Sequence, residues 1–124
     1  MNASELNRLV AGLLLMTSCS VTAGTIVCEG EVEVLGYHAT DKMMIKLSSM
    51  NVPVHFCSPD REWSVSGTSY KTGPKTCQTL YSTFLAAKIS GKTIYNVWFD
   101  GDEVPTSCDA WDSWANTNIR HFKL

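Results

Sequence analysis

The sequence predicts an all-β domain with one helix: a five-stranded OB-fold barrel, its helix between strands three and four, closed by two disulfides. Two observations carry this expectation. Along the chain, three segments of strand-like periodicity precede one helical segment and two more strand-like segments follow it, the element order of that fold. Four cysteines lie downstream of an export-like leader, an even number in an oxidising compartment. At 124 residues the chain is long enough for one domain and too short for two.

Residues 1–23 read as a signal peptide. The apolar run Leu9–Met16 is far short of the roughly 20 residues a spanning helix needs. It suits the hydrophobic region of a secretory signal, with Val21 and Ala23 at the small-residue positions before a cut at Gly24. Met16-Thr17-Ser18 also offers an imperfect lipobox, which would make Cys19 a lipidated amino terminus instead. Either processing removes Cys19 from the thiol count of the OB domain, residues 24–124.

The first strand is expected over residues 28–35, where Glu29, Glu31 and Glu33 alternate with Gly30, Val32 and Val34. A second follows over 42–47, with Met43, Ile45 and Leu47 on one face, and a third over 52–57, opened by Pro53, whose missing amide suits an edge. Residues 58–75, rich in Ser, Gly, Pro and Lys, form a loop, of a length that requires a tether or a role. Thr76 is the expected N-cap of a helix carrying Leu80, Tyr81, Phe84, Leu85 and Ala87 and stopped by Gly91. The aromatic and β-branched run 92–99 suits a fourth strand, and residues 118–124 a closing fifth.

In this frame the first and fourth strands pair antiparallel, which places Cys28 near Cys108, while Cys57 and Cys77 bracket the long loop. Bridges Cys28–Cys108 and Cys57–Cys77 are therefore expected, each contributing roughly 3 to 4.5 kcal/mol by loop-closure entropy. A metal centre is not expected, because no two of these four cysteines have the C-x-x-C spacing and His55-x-Cys57 is too little for zinc.

The formal charge of -2 and the interspersed acidic and basic residues give no basic stripe, which argues against nucleic acid and against an anionic membrane surface. No transmembrane span is expected. There is no G-x-S-x-G, H-E-x-x-H or phosphate loop, so no catalytic residues and no cofactor are assigned and the chain is read as a non-enzyme. The cluster Asp100, Asp102 and Glu103 lacks the spacing of a calcium loop and reads as a solvated turn. His38, His55 and His121 fall on different elements.

The aromatic residues point to binding. Trp63 and Tyr70 lie in the tethered loop, and Trp111 and Trp114 follow Cys108 with Asp109 and Asp112 interleaved. Aromatic faces beside carboxylates suit sugars, which offer apolar C–H patches and hydroxyl donors. Trp63, Tyr70, Asp109, Trp111 and Trp114 are thus candidate contacts for a glycan or a protein partner. The competing reading makes Trp111 or Trp114 a plug over the open end of the barrel.

The leader, the element order, the disulfide-bounded loop, the run LAAKISGKTIYNVWFDG at 85–101 and a late cysteine followed by tryptophan together resemble the B subunits of bacterial toxins, of the pertussis-like and subtilase cytotoxin types. The similarity is architectural and covers most of residues 24–124. It implies a ring of five copies that binds cell-surface glycans and carries an enzymatic A subunit; no residue roles are carried over. A related small secreted bacterial OB-fold protein fits the same features. The alternative is a monomeric periplasmic or lipid-anchored protein with a protein-binding or structural role.

Overall fold

A computed structural model describes residues 24–124. The leader, its cut and Cys19 lie outside the described residues. The chain runs β1 (Gly24–Gly30), β2 (Val32–His38), β3 (Lys42–Leu47), β4 (Val54–Cys57), α1 (Pro74–Ser90), β5 (Ile94–Gly101) and β6 (Asn118–Ile119). The architecture is mostly β with one helix. Two three-stranded antiparallel sheets, in the orders β1-β5-β6 and β2-β3-β4, enclose the core.

The helix follows the fourth strand, which corrects the expected position between strands three and four. The cause is a break in the segment read as one strand. Gly30 has φ +147°, a backbone state open to glycine and closed to residues with a Cβ, and a Cβ there would lie 2.2 Å from Ser48 Oγ. Glu31 steps out of both ladders; its carbonyl accepts from Ser48 N at 2.9 Å and its amide donates to Ser48 Oγ at 3.1 Å. The chain thereby passes from one sheet to the other within a single residue. A second seam joins the sheets at His55, whose amide donates to Ala115 O at 2.9 Å and whose carbonyl accepts from Thr117 N at 3.0 Å, in a parallel bridge to Asn116.

Several boundaries also move. Cys28 sits inside β1, opposite Val97, and does not open the strand. Thr76 is not the N-cap: Pro74, with φ preset for helix and no amide to lose, starts α1 three residues earlier than that cap would, after Gly73. Gly91 ends the helix in the left-handed state as expected. The closing strand shrinks to two residues, although Tyr95 and Lys123 still exchange backbone hydrogen bonds at 2.8 Å.

Alternation sets the core. Met43, Ile45 and Leu47 turn inward from β3 and Val97 and Phe99 from β5, and α1 lays Phe84 against Phe56 at 5.5 Å and Phe122 at 5.0 Å between ring centres. Both expected disulfides are present, Cys28–Cys108 across 80 positions and Cys57–Cys77 across 20. Among the described residues no helix is long and apolar enough to cross a membrane.

Candidate functional site

The outer face of the β2-β3-β4 sheet gathers the most unusual side chains. Met44 lies opposite His55 across the β3-β4 pair and opposite Gly36 across β2-β3, so His38, two residues beyond Gly36, shares their face. The loop after β5 then lays Trp114 over both imidazoles. Ring centres are 5.4 Å apart for His38–His55, 4.8 Å for His38–Trp114 and 5.6 Å for His55–Trp114.

Trp114 is held there at a cost. Its φ of +64° belongs to the left-handed region, which in a bulky residue stores on the order of 1–3 kcal/mol and persists only where the surroundings enforce it. It is nevertheless 58 % exposed, the most open of the sequence-predicted tryptophans. One side of the indole meets histidines and the rest meets solvent.

His55 is 3 % exposed, and its Nδ1 faces Asn116 Oδ1 at 3.3 Å, so Nδ1 carries the proton and Nε2 presents a lone pair. Burial holds this imidazole below its ordinary pKa; Lys42 and His38 act in the same direction, against the hydrogen bond it donates to Asn116 and the charge of Glu103. His55 Nε2 and His38 Nδ1 are both buried without a hydrogen-bond partner.

Two depressions flank the cluster. An apolar cleft of about 140 Å³ is lined by Met44, Val52, Pro53, Ser113 and Trp114. A polar one of about 240 Å³ is bounded by Lys42, Ser64, Ser66, Glu103, Asn116 and the rim of Trp63. Lys42, the cross-strand partner of His38, and Asn116, bonded to His55, line the polar hollow, and Met44 and Trp114 line the apolar one.

Comparison with protein-family models, curated proteins and solved structures finds no match. The site is therefore characterised by its own chemistry.

The sequence-predicted contacts do not converge on one surface. Trp63 is 7 % exposed and donates Nε1–H to Thr117 O at 2.9 Å, so it is a core residue with one edge on the polar hollow. Trp111 is 3 % exposed, packed edge-on to Phe99 at 5.3 Å and pinned by Asn51, which accepts from Trp111 N at 2.9 Å and donates to Trp111 O at 2.8 Å. Both rings are thus packed into the core, and neither offers solvent the open face that Trp114 does. Asp109 is exposed and accepts from Ser107. Tyr70 lines a third depression with Thr25, Asp100 and Arg120, and its hydroxyl donates to Asp100 Oδ2 at 2.7 Å.

Asp100 also departs from the solvated turn expected of it: it ends up in β5, 5 % exposed, with Arg120, Thr25 and Tyr70 all donating to its carboxylate. The His38–Met44–His55 grouping was missed because three separate strands supply it. Strand register alone brings it together, and spacing along the chain carries no trace of register between β2, β3 and β4.

Proposed function

We propose that this chain is an exported OB-fold binding module that recognises a glycan on the outer face of β2-β3-β4. The observation that supports it is the solvent-facing side of Trp114 between an apolar cleft and a hollow carrying Lys42, Ser64, Ser66 and Glu103. A sugar ring stacks its C–H face on an indole and spends its hydroxyls on such donors and acceptors. Taking residues 24–38 as one strand bent at Gly30 restores the order of three strands, helix, two strands; the Trp114 face then corresponds to the second and third strands between the first and last loops, where OB-folds bind oligosaccharides and oligonucleotides. The net charge of -2 favours the sugar over the nucleic acid. Two disulfides fit an oxidising, extracytoplasmic location.

Assembly into a five-membered ring, and pairing with an enzymatic subunit, belong to the same proposal through the resemblance to toxin B subunits. A glycan array probed with the disulfide-bonded protein tests the binding reading. Retention of a defined glycan, weakened at least about tenfold in Trp114→Ala, supports it; absence of retention, or indifference to that substitution, refutes it. Light scattering on the same sample reads the ring directly: a mass of five chains supports it and a monomer removes it.

A further inference from the structure

We propose that the His38–His55 pair is a binding site for a soft monovalent ion, Cu(I) or Ag(I), completed by the Met44 thioether and covered by Trp114. The inference stands on the inner side of Trp114 and does not depend on what meets the outer one.

Two buried imidazole nitrogens without partners, on rings in contact, are the starting point. A buried acceptor left open is destabilising, and most such groups in folded proteins are satisfied. Here two occur on neighbouring rings. His55 is already set as a ligand: Asn116 takes the proton side of the ring at Nδ1, which fixes the tautomer with the Nε2 lone pair free, the arrangement by which second partners orient metal-binding histidines. Asn116 is itself held, its backbone amide donating to Glu103 Oε2 at 3.1 Å.

The spacing fits one shared ion. Two imidazoles binding through nitrogen at about 2.0 Å have ring centres roughly 5 to 5.5 Å apart, for angles between tetrahedral and trigonal. The observed separation is 5.4 Å. Met44, opposite His55 in the β3-β4 register and with its thioether packed over Gly36, supplies the soft donor on this face.

Donor chemistry selects the ion. Zinc sites in proteins draw three or four ligands from Cys, His, Asp and Glu, and among the described residues no group of three such side chains is placed to hold a metal. Two neutral imidazoles and a thioether instead suit a soft, singly charged ion. The indole packs against both rings, T-shaped to His38 and tilted to His55, and indole is the strongest of the aromatic side chains for cations.

Titration of the disulfide-bonded protein with Ag(I) in chloride-free buffer near pH 7.5 tests the site. Native mass spectrometry and tryptophan fluorescence should show one ion bound per chain. Long-range ¹H–¹⁵N spectra should move His38 Nδ1 and His55 Nε2 while His121 stays unchanged. His38→Gln and Met44→Leu, both at half-buried positions, should each weaken binding on the order of tenfold or more, with near-UV circular dichroism confirming retained packing. Asn116→Ala should weaken it as well, because His55 loses its fixed tautomer. Ag(I) should displace Zn(II), and Cu(I) held under ascorbate should compete with Ag(I). The proposal is overturned by absence of saturable Ag(I) binding, by undiminished affinity in the folded His38→Gln/Met44→Leu double variant, or by Zn(II) binding more tightly than Ag(I).

Discussion

Arg120 grips Asp100 through both carboxylate oxygens, Nε to Oδ2 at 2.9 Å and Nη2 to Oδ1 at 2.8 Å. The guanidinium also lies 5.1 Å from the Trp98 ring centre, so one side chain ties the segment after β6 to two residues of β5. Burial by itself would raise the Asp100 pKa; the hydrogen bonds from Arg120, Thr25 and Tyr70 outweigh it and hold the carboxyl below its ordinary value. A carboxyl depressed by folding contributes stability that is complete above the unfolded value of about 3.8 and is lost as pH falls through the folded one. Urea midpoints taken from pH 5 down to pH 2 should therefore fall more steeply for the wild type than for Asp100→Asn. Parallel slopes would show that the network contributes nothing to acid stability.

Tyr70 completes that network, and desolvation together with the Asp100 carboxylate drives its hydroxyl pKa upward, keeping it a donor throughout the neutral range. Tyr70→Phe should cost about 1.5–3 kcal/mol, the usual worth of a hydrogen bond to a charged acceptor. Chemical denaturation measures it, and a loss below about 0.5 kcal/mol contradicts the assignment.

Trp111 and Trp114 are three residues apart and opposite in burial, 3 % against 58 % exposed. Trp111→Ala should destabilise by about 3–5 kcal/mol, as expected for emptying a buried aromatic site. Trp114→Gly should leave stability nearly unchanged, because relief of a φ of +64° offsets the lost contacts, yet should abolish ligand binding. Thermal unfolding and binding assays on the two variants must dissociate in this way if the plug and the contact are separate residues.

Gly30→Ala should destabilise by about 1–3 kcal/mol or more, since a Cβ meets Ser48 Oγ and the positive φ excludes it. Ser48→Gly in the same chain removes the clash with Oγ together with the bond Oγ accepts from Glu31 N, so Ser48→Gly alone serves as the reference. Partial rescue in the double variant, read from denaturant midpoints, separates the steric part from the conformational part.

Loop-closure entropy ranks the bridges. Replacing Cys28 and Cys108 by serine should cost roughly 4.5 kcal/mol and replacing Cys57 and Cys77 roughly 3 kcal/mol. Reversal of that order would locate the stabilisation in the native contacts around Cys57 and Cys77, both fully buried, instead of in the unfolded chain.

What the sequence by itself determined is local or topological in origin. Period-two patterning placed β3, the glycine stop placed the end of α1, and cysteine positions within a strand order gave both disulfides, because each rests on nearest-neighbour geometry or on a parity count. The break at Gly30 was not legible: glycine amid alternating Glu and Val extends a strand pattern equally well, and only the approach of Ser48 shows that the chain must turn there. Tertiary structure alone sent Trp63 and Trp111 inward and Trp114 outward, since three tryptophans in polar loops look alike until the core beneath them has a shape. It alone brought His38, Met44 and His55 together, because register between strands is decided by which faces bury, across separations that no local pattern spans.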